Sequence, residues 1–309
     1  MAETGSDISV STRGMIAPGL LLTTGSLLAV SIILSRLAAA ESLPMLWFLA
    51  FTMTGSGLIL TGVALSRARG ERSLTSLIPY GLGAAAFQAV PQAMAYLSVG
   101  HVGAGYVSIA FAFPLLVTYV MALGVRMEHF SLPRALGVAV ALAGGLMLVL
   151  AKFDGLKGDA ALWVVVASLI PVVISGGNLY RTRFWPKGAP PLPLAGLMLL
   201  LGGLMIVPAA ILTEDMTGAR ELWRTPALAA LTCISIAVFA LKFVTYFQLQ
   251  YVAGPVYLSQ IGTVGAAVAT PIAVLFLGEV LPENFAIAVL LIVAGVALFE
   301  YGRRRQAAG

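Results

Sequence analysis

Charge is what this chain has least of. Only 10% of its residues are Asp, Glu, Lys or Arg, against roughly a quarter in soluble domains. Cys233 is the single cysteine, which excludes an intramolecular disulfide, and its neighbours Leu231 and Ile234 mark it as a small packed residue. Two separated histidines, His101 and His129, form no His-Glu-x-x-His site. No Gly-x-Ser-x-Gly elbow or clustered His/Asp pair is present to support hydrolysis. No metal or other cofactor is expected, and an enzyme is the less favoured class. Polar linkers are also short, the longest (214–225) being about a dozen residues, so no soluble domain is inserted. The alternating strands of about ten residues that build an outer-membrane barrel are absent.

Apolar sequence fills the space. Hydrophobic residues make up 60% of the chain, in stretches of about 20 that suit a hydrocarbon core of roughly 30 Å. Ten spans fit: 14–38, 44–66, 75–98, 101–124, 132–151, 159–180, 191–213, 226–250, 254–277 and 283–301. Ala38-Ala39-Ala40 resembles a signal-peptidase site, but the apolar run from Met15 is too long for a signal segment, so the first span is expected to be retained. With the N-terminus inside, Arg13, Arg67, Arg69, Arg72, Arg126, Arg134, Arg181, Arg183, Lys187 and Arg303 to Arg305 face the cytoplasm. Arg36, Lys152, Lys157, Arg220 and Arg224 face the other side. Twelve against five satisfies the positive-inside rule and places both termini in the cytoplasm. The net charge of +5 therefore implies contact with anionic lipid headgroups and no nucleic acid.

The chain also repeats itself. Val102-Gly-Ala-Gly-Tyr-Val-Ser108 and Ala253-Gly-Pro-Val-Tyr-Leu-Ser259 lie 151 residues apart. The same offset pairs Glu128 with Glu279 and Ala143-Gly144 with Ala294-Gly295. Five spans per repeat would insert the halves in opposite senses, a transporter architecture with its site between them. The expected fold is thus an all-α polytopic membrane protein, ten transmembrane helices as two inverted five-helix repeats. The divisions are a tail at 1–13, repeats at 14–151 and 159–301, and a basic tail at 302–309.

Each half closes with a prolyl helix, a turn with Glu and Pro, and an Ala-Gly helix. These read Phe113-Pro114, Glu128, Leu132-Pro133 and Ala143-Gly144-Gly145 in the first half, and Thr270-Pro271, Gly278-Glu279, Leu281-Pro282 and Ala294-Gly295 in the second. The pattern resembles the EamA-like branch of the drug/metabolite transporter superfamily over essentially the whole chain. With Phe87-Gln88-Ala89-Val90-Pro91-Gln92 and Tyr96 in span three, it looks most like the YddG-type exporters of aromatic and other neutral amino acids. Val125-Arg126-Met127-Glu128-His129 departs from the clean Gly-Glu turn at 278–279. The resemblance implies export across a bacterial inner membrane, with a small-molecule substrate and membrane lipids as partners. A monomer is expected, with a dimer as the alternative.

Polar groups at span depth should face protein or a wet cavity. The candidates for substrate binding are Gln88, Gln92, Tyr96, Tyr106, Ser108, Asn178, Lys242, Tyr246, Tyr257, Ser259 and Gln260. Gln88, Gln92 and Tyr96 share one helix face, and the repeat offset matches them to Phe239, Phe243 and Phe247. An amide wall opposite an aromatic wall suits an amphipathic solute; glutamines bridging helices and phenylalanines facing lipid are the alternative. Lys242 is the only cation well inside a span, about 12 Å from the expected cytoplasmic end. It needs a partner, a carboxylate substrate or a lowered pKa, or else must snorkel to the surface. Pro91, Pro114, Pro171 and Pro271 are expected to kink their spans, as is Pro208.

No carboxylate falls in mid-membrane, which speaks against a cation exporter or a glutamate proton relay. A single in-span lysine also looks too little for a dianion. A neutral, zwitterionic or monoanionic solute with apolar bulk remains, moved by alternating access or facilitated diffusion. The alternatives are another small metabolite or drug and, in a different class, a membrane enzyme or a non-transporting receptor.

Overall fold

The computed structural model describes residues 10–67, 74–124, 126, 129–154, 159–258, 260–278 and 283–308. Among them there is no strand. The helices run α1 (Val10–Ala40), α2 (Met45–Arg67), α3 (Ile78–Val102), α4 (Ala104–Ala110), α5 (Pro114–Gly124) and α6 (Leu132–Asp154). They continue with α7 (Asp159–Phe184), α8 (Pro191–Glu214), the one-turn α9 (Gly218–Glu221), α10 (Pro226–Leu258), α11 (Ile261–Leu277) and α12 (Phe285–Ala308).

Six helical stretches are long and apolar enough to cross a bilayer: α1, α2, the α4–α5 pair, α7, α8 and α10. Shorter apolar helices lie at 132–147, 261–277 and 285–299. α3 has a span's length but is more polar, carrying Gln88, Gln92, Tyr96 and His101. The outward faces are apolar: Leu212 is 85% exposed, Phe276 79% and Leu275 76%. So many bare aliphatic and aromatic side chains fit a lipid surround and not water. The chain is a multi-pass membrane protein.

Two boundaries differ from the sequence expectation. Pro114 does not kink a continuous helix. The turn at Phe111–Phe113 separates α4 from α5, and Pro114 opens α5, where its missing N–H costs nothing. In the second half, α10 runs straight through Ala253-Gly254-Pro255 to Leu258, eight residues beyond the expected end. The two interruptions face each other. A β-carbon on Gly262, at the start of α11, would collide with the Phe111 carbonyl, so only glycine lets this backbone seat against the α4–α5 turn.

Glycines also set the other close packings. α2 lies on α8, where Gly57, Gly196 and Gly203 each meet the partner helix's backbone. α6 lies on α12, where Gly137 meets the Gly295 carbonyl and Gly144 meets the Ala288 carbonyl, each at 2.6 Å from an added β-carbon. α1 packs on α10 and α11, while α7 packs on α3 and on α4–α5. These contacts leave a cavity bounded by α1, α3, the α4–α5 turn, α7, α10 and the start of α11.

Candidate functional site

The cavity is small, about 60 Å³, which is room for a few waters. Thr24, Leu28, Phe87, Gln88, Gln92, Phe111, Ile174, Asn178, Arg181, Lys242, Phe243 and Tyr246 are among its lining residues. Pockets that enclose a drug-sized ligand are on the order of 300–1,000 Å³. This conformation is therefore a contracted one.

Lys242 stands midway along α10, roughly 24 Å from either helix end at 1.5 Å per residue. Snorkelling is ruled out: the residue is 3% exposed. Its Nζ sits 3.7 Å from the centroid of Phe239 and 4.9 Å from that of Phe243. It has no hydrogen-bond partner among the described residues. Ring faces attract a desolvated ammonium by about 2 kcal/mol, well short of the several kcal/mol that burial costs an ion. The cation remains under-compensated.

Arg181 corrects the sequence reading. It was counted among the cytoplasmic charges because it stands one turn from the end of α7, but it is 2% exposed and lines the cavity. The cause is side-chain direction. Helical side chains lean toward the N-terminus, so a long one near a C-terminal end reaches a turn deeper. Arg181 Nη2 donates to Asn178 Oδ1 at 2.8 Å and to the Tyr246 hydroxyl at 2.7 Å. The Tyr246 hydroxyl donates to Asn178 Oδ1 at 3.3 Å. Nε and Nη1 of Arg181 have no hydrogen-bond partners among the described residues. Its removal leaves the positive-inside count at eleven against five, with the same sign.

The predicted residues thus divide. Gln88, Gln92, Asn178, Lys242 and Tyr246 meet at the cavity. The phenylalanines matched to the span-three face are buried, so a lipid-facing role is excluded: Phe243 lines the cavity, Phe239 carries the Lys242 ammonium, and Phe247 packs on Trp185. Tyr96 lies beside a pocket of about 10 Å³, which shares Leu28, Gln92, Phe111 and Lys242 with the main cavity and adds Ser31 and Ser35.

Tyr106 lies elsewhere, bonded to Ser168 at 2.9 Å in a groove of about 400 Å³ with Phe113, Pro171 and exposed Leu146. That groove is larger but apolar and open to the outside. Ser108 bonds the Gly105 carbonyl at 2.7 Å and reaches Thr270 on α11 at 3.3 Å, an inter-helix contact away from the cavity. Gln260 immediately precedes α11 without lining the cavity. Ser259 lies outside the described residues, as does the side chain of Tyr257. Pro91, Pro171, Pro208 and Pro271 fall inside α3, α7, α8 and α11.

At the end where α7 terminates, aromatic rings cluster. Tyr80 lies 6.0 Å from Tyr180 and 6.4 Å from Trp185, and Trp185 lies 5.7 Å from Phe247. At the opposite end His101 stacks flat on Trp163 at 5.0 Å. Among the described residues the wall holds two buried basic groups, three amides, several rings and no carboxylate. Such a surface offers hydrogen-bond donors beside ring faces.

Residues 162–301 match the EamA-like transporter family. Arg181 and Lys242 both fall inside that segment. No curated protein matches the chain. A crystal structure of another protein aligns with a TM-score of 0.62 at 19% identity, over 96% of this chain and all of that one. At that identity the likeness is one of fold. Together with the apolar helices, the family match supports a membrane transporter of small molecules.

Proposed function

We propose that the chain is an exporter of the bacterial inner membrane for small solutes that carry a carboxylate and an apolar body, aromatic and other neutral amino acids among them. The observation that carries the reading is the pair of buried cations, Lys242 and Arg181, with unfilled donors in one aromatic-walled cavity. Two inverted five-helix repeats supply the scaffold in this reading, at 14–151 and 159–301, with both termini cytoplasmic. The packing supports it. Under the offset of 151, Gly137 meeting Gly295 becomes Ala288 meeting Gly144, and both contacts exist. Phe111 and Gly262, also 151 apart, touch directly, as residues beside a two-fold axis must. Rocking of the halves would open the contracted cavity to either side.

The cavity offers no carboxylate among the described residues to relay protons, so flux is expected to be independent of a pH gradient. Counterflow of labelled phenylalanine in liposomes tests the reading. Saturable exchange, equal with and without a gradient, is the expected result. Flux no greater than in protein-free liposomes, from protein shown to be folded, would remove the reading.

A further inference from the structure

We infer that the cavity favours a net anion over a zwitterion: the preferred class is an aryl-substituted carboxylate without an amino group, ahead of the amino acids themselves. This rests on the transporter reading and narrows it.

Charge balance carries the argument. Arg181 is permanently cationic, Lys242 is a second basic group, and no lining residue among those described is an acid. A monocarboxylate offsets one positive charge. A zwitterion offsets none in net terms and brings a third cation into the same enclosed space, where like charges repel strongly. The inventory of donors and acceptors agrees. Three Lys242 protons and the Nε and Nη1 protons of Arg181 await acceptors. Acceptors for an ammonium are few. Asn178 Oδ1 already takes Arg181 and Tyr246, and the Phe111 carbonyl lies against Gly262. That leaves the amide oxygens of Gln88 and Gln92, whose amide groups can equally turn their donors inward, and the Thr24 hydroxyl, which already donates to the Leu20 carbonyl. Phe87, Phe111 and Phe243 supply faces for a ring. The arginine also removes the sequence-based objection that one lysine is too little for a strongly anionic solute.

The test is a competition series against counterflow of labelled phenylalanine, run in parallel with counterflow of labelled 3-phenylpropanoate corrected for leak into protein-free liposomes. The competitors are 3-phenylpropanoate, its neutral amide 3-phenylpropanamide, and phenethylamine, which keeps the amine and lacks the carboxylate. 3-Phenylpropanoate is expected to compete at lower concentration than phenylalanine, the amide roughly tenfold more weakly, and phenethylamine not at all. Lys242→Met should bring the carboxylate-to-amide ratio close to one, a change that a merely structural lysine would not produce. Lys242→Gln serves if the methionine variant does not fold. If phenylalanine exchanges saturably while 3-phenylpropanoate neither moves nor competes, the inference falls and the transporter reading stands. If neither labelled solute moves, both fall.

Discussion

In the proposed two-repeat scaffold α3 and α10 occupy matching positions, and they face the same cavity with opposite chemistry. At the offset of 151, Gln88 and Gln92 on α3 correspond to Phe239 and Phe243 on α10, and Pro91 corresponds to Lys242. One wall offers neutral amides; the other, a cation held against rings. In that reading the scaffold is duplicated while the lining has diverged. Asymmetric walls bind an asymmetric solute in one orientation, so the carboxylate end should sit toward α10 and α7. Arg181 strengthens the bias, because its hydroxyl partner, Tyr246, is also on α10.

The comparison breaks most completely if the charged wall is made neutral. The double variant Lys242→Met/Arg181→Gln should lower flux at least about 100-fold, since hydrogen bonds to charged groups contribute about 1.5–3 kcal/mol each. Liposome counterflow reads this directly. Arg181→Lys keeps the charge but cannot bridge Asn178 and Tyr246 in the same fork, so initial rates should drop about tenfold. Phe243→Leu removes a ring face from the same wall. It should weaken aromatic solutes by a factor on the order of five to ten, from aromatic pairs of ~0.5–1.5 kcal/mol, and leave aliphatic ones nearly unchanged. On the amide wall, Gln92→Leu should raise the half-saturation concentration only about fivefold, because a neutral hydrogen bond nets about 1 kcal/mol. An amide-wall loss as large as the Arg181→Lys loss would erase the distinction between the walls.

Much of this was legible beforehand because bilayers impose simple rules. Apolar length located the helices, and the offset of 151 picked out Gly144 and Gly295, each seated against the partner helix at the α6–α12 interface. Lys242 stood out since a charge at span depth requires a reason. What could not be read depended on contacts between distant segments. Pro114 opens a new helix because α11 occupies the turn before it, and no local pattern announces Gly262. The extension of α10 through Gly254-Pro255 runs against propensity, which alone would end the helix there. Arg181 was assigned to the surface from its distance to the helix end. The Asn178-x-x-Arg181 spacing, which puts both on one helix face, was the available signal for an inward turn.

Thermal melting of purified wild type and Lys242→Met, each with and without 3-phenylpropanoate, tests the central claim most directly. The claim is that Lys242 is an under-compensated buried cation kept for an anionic solute. Replacing it by an apolar side chain of similar length relieves a desolvation cost of several kcal/mol. Lys242→Met should therefore melt a few degrees higher than wild type without solute and gain nothing when solute is added, whereas wild type gains. A variant that melts lower and retains the full solute-induced gain would contradict the account.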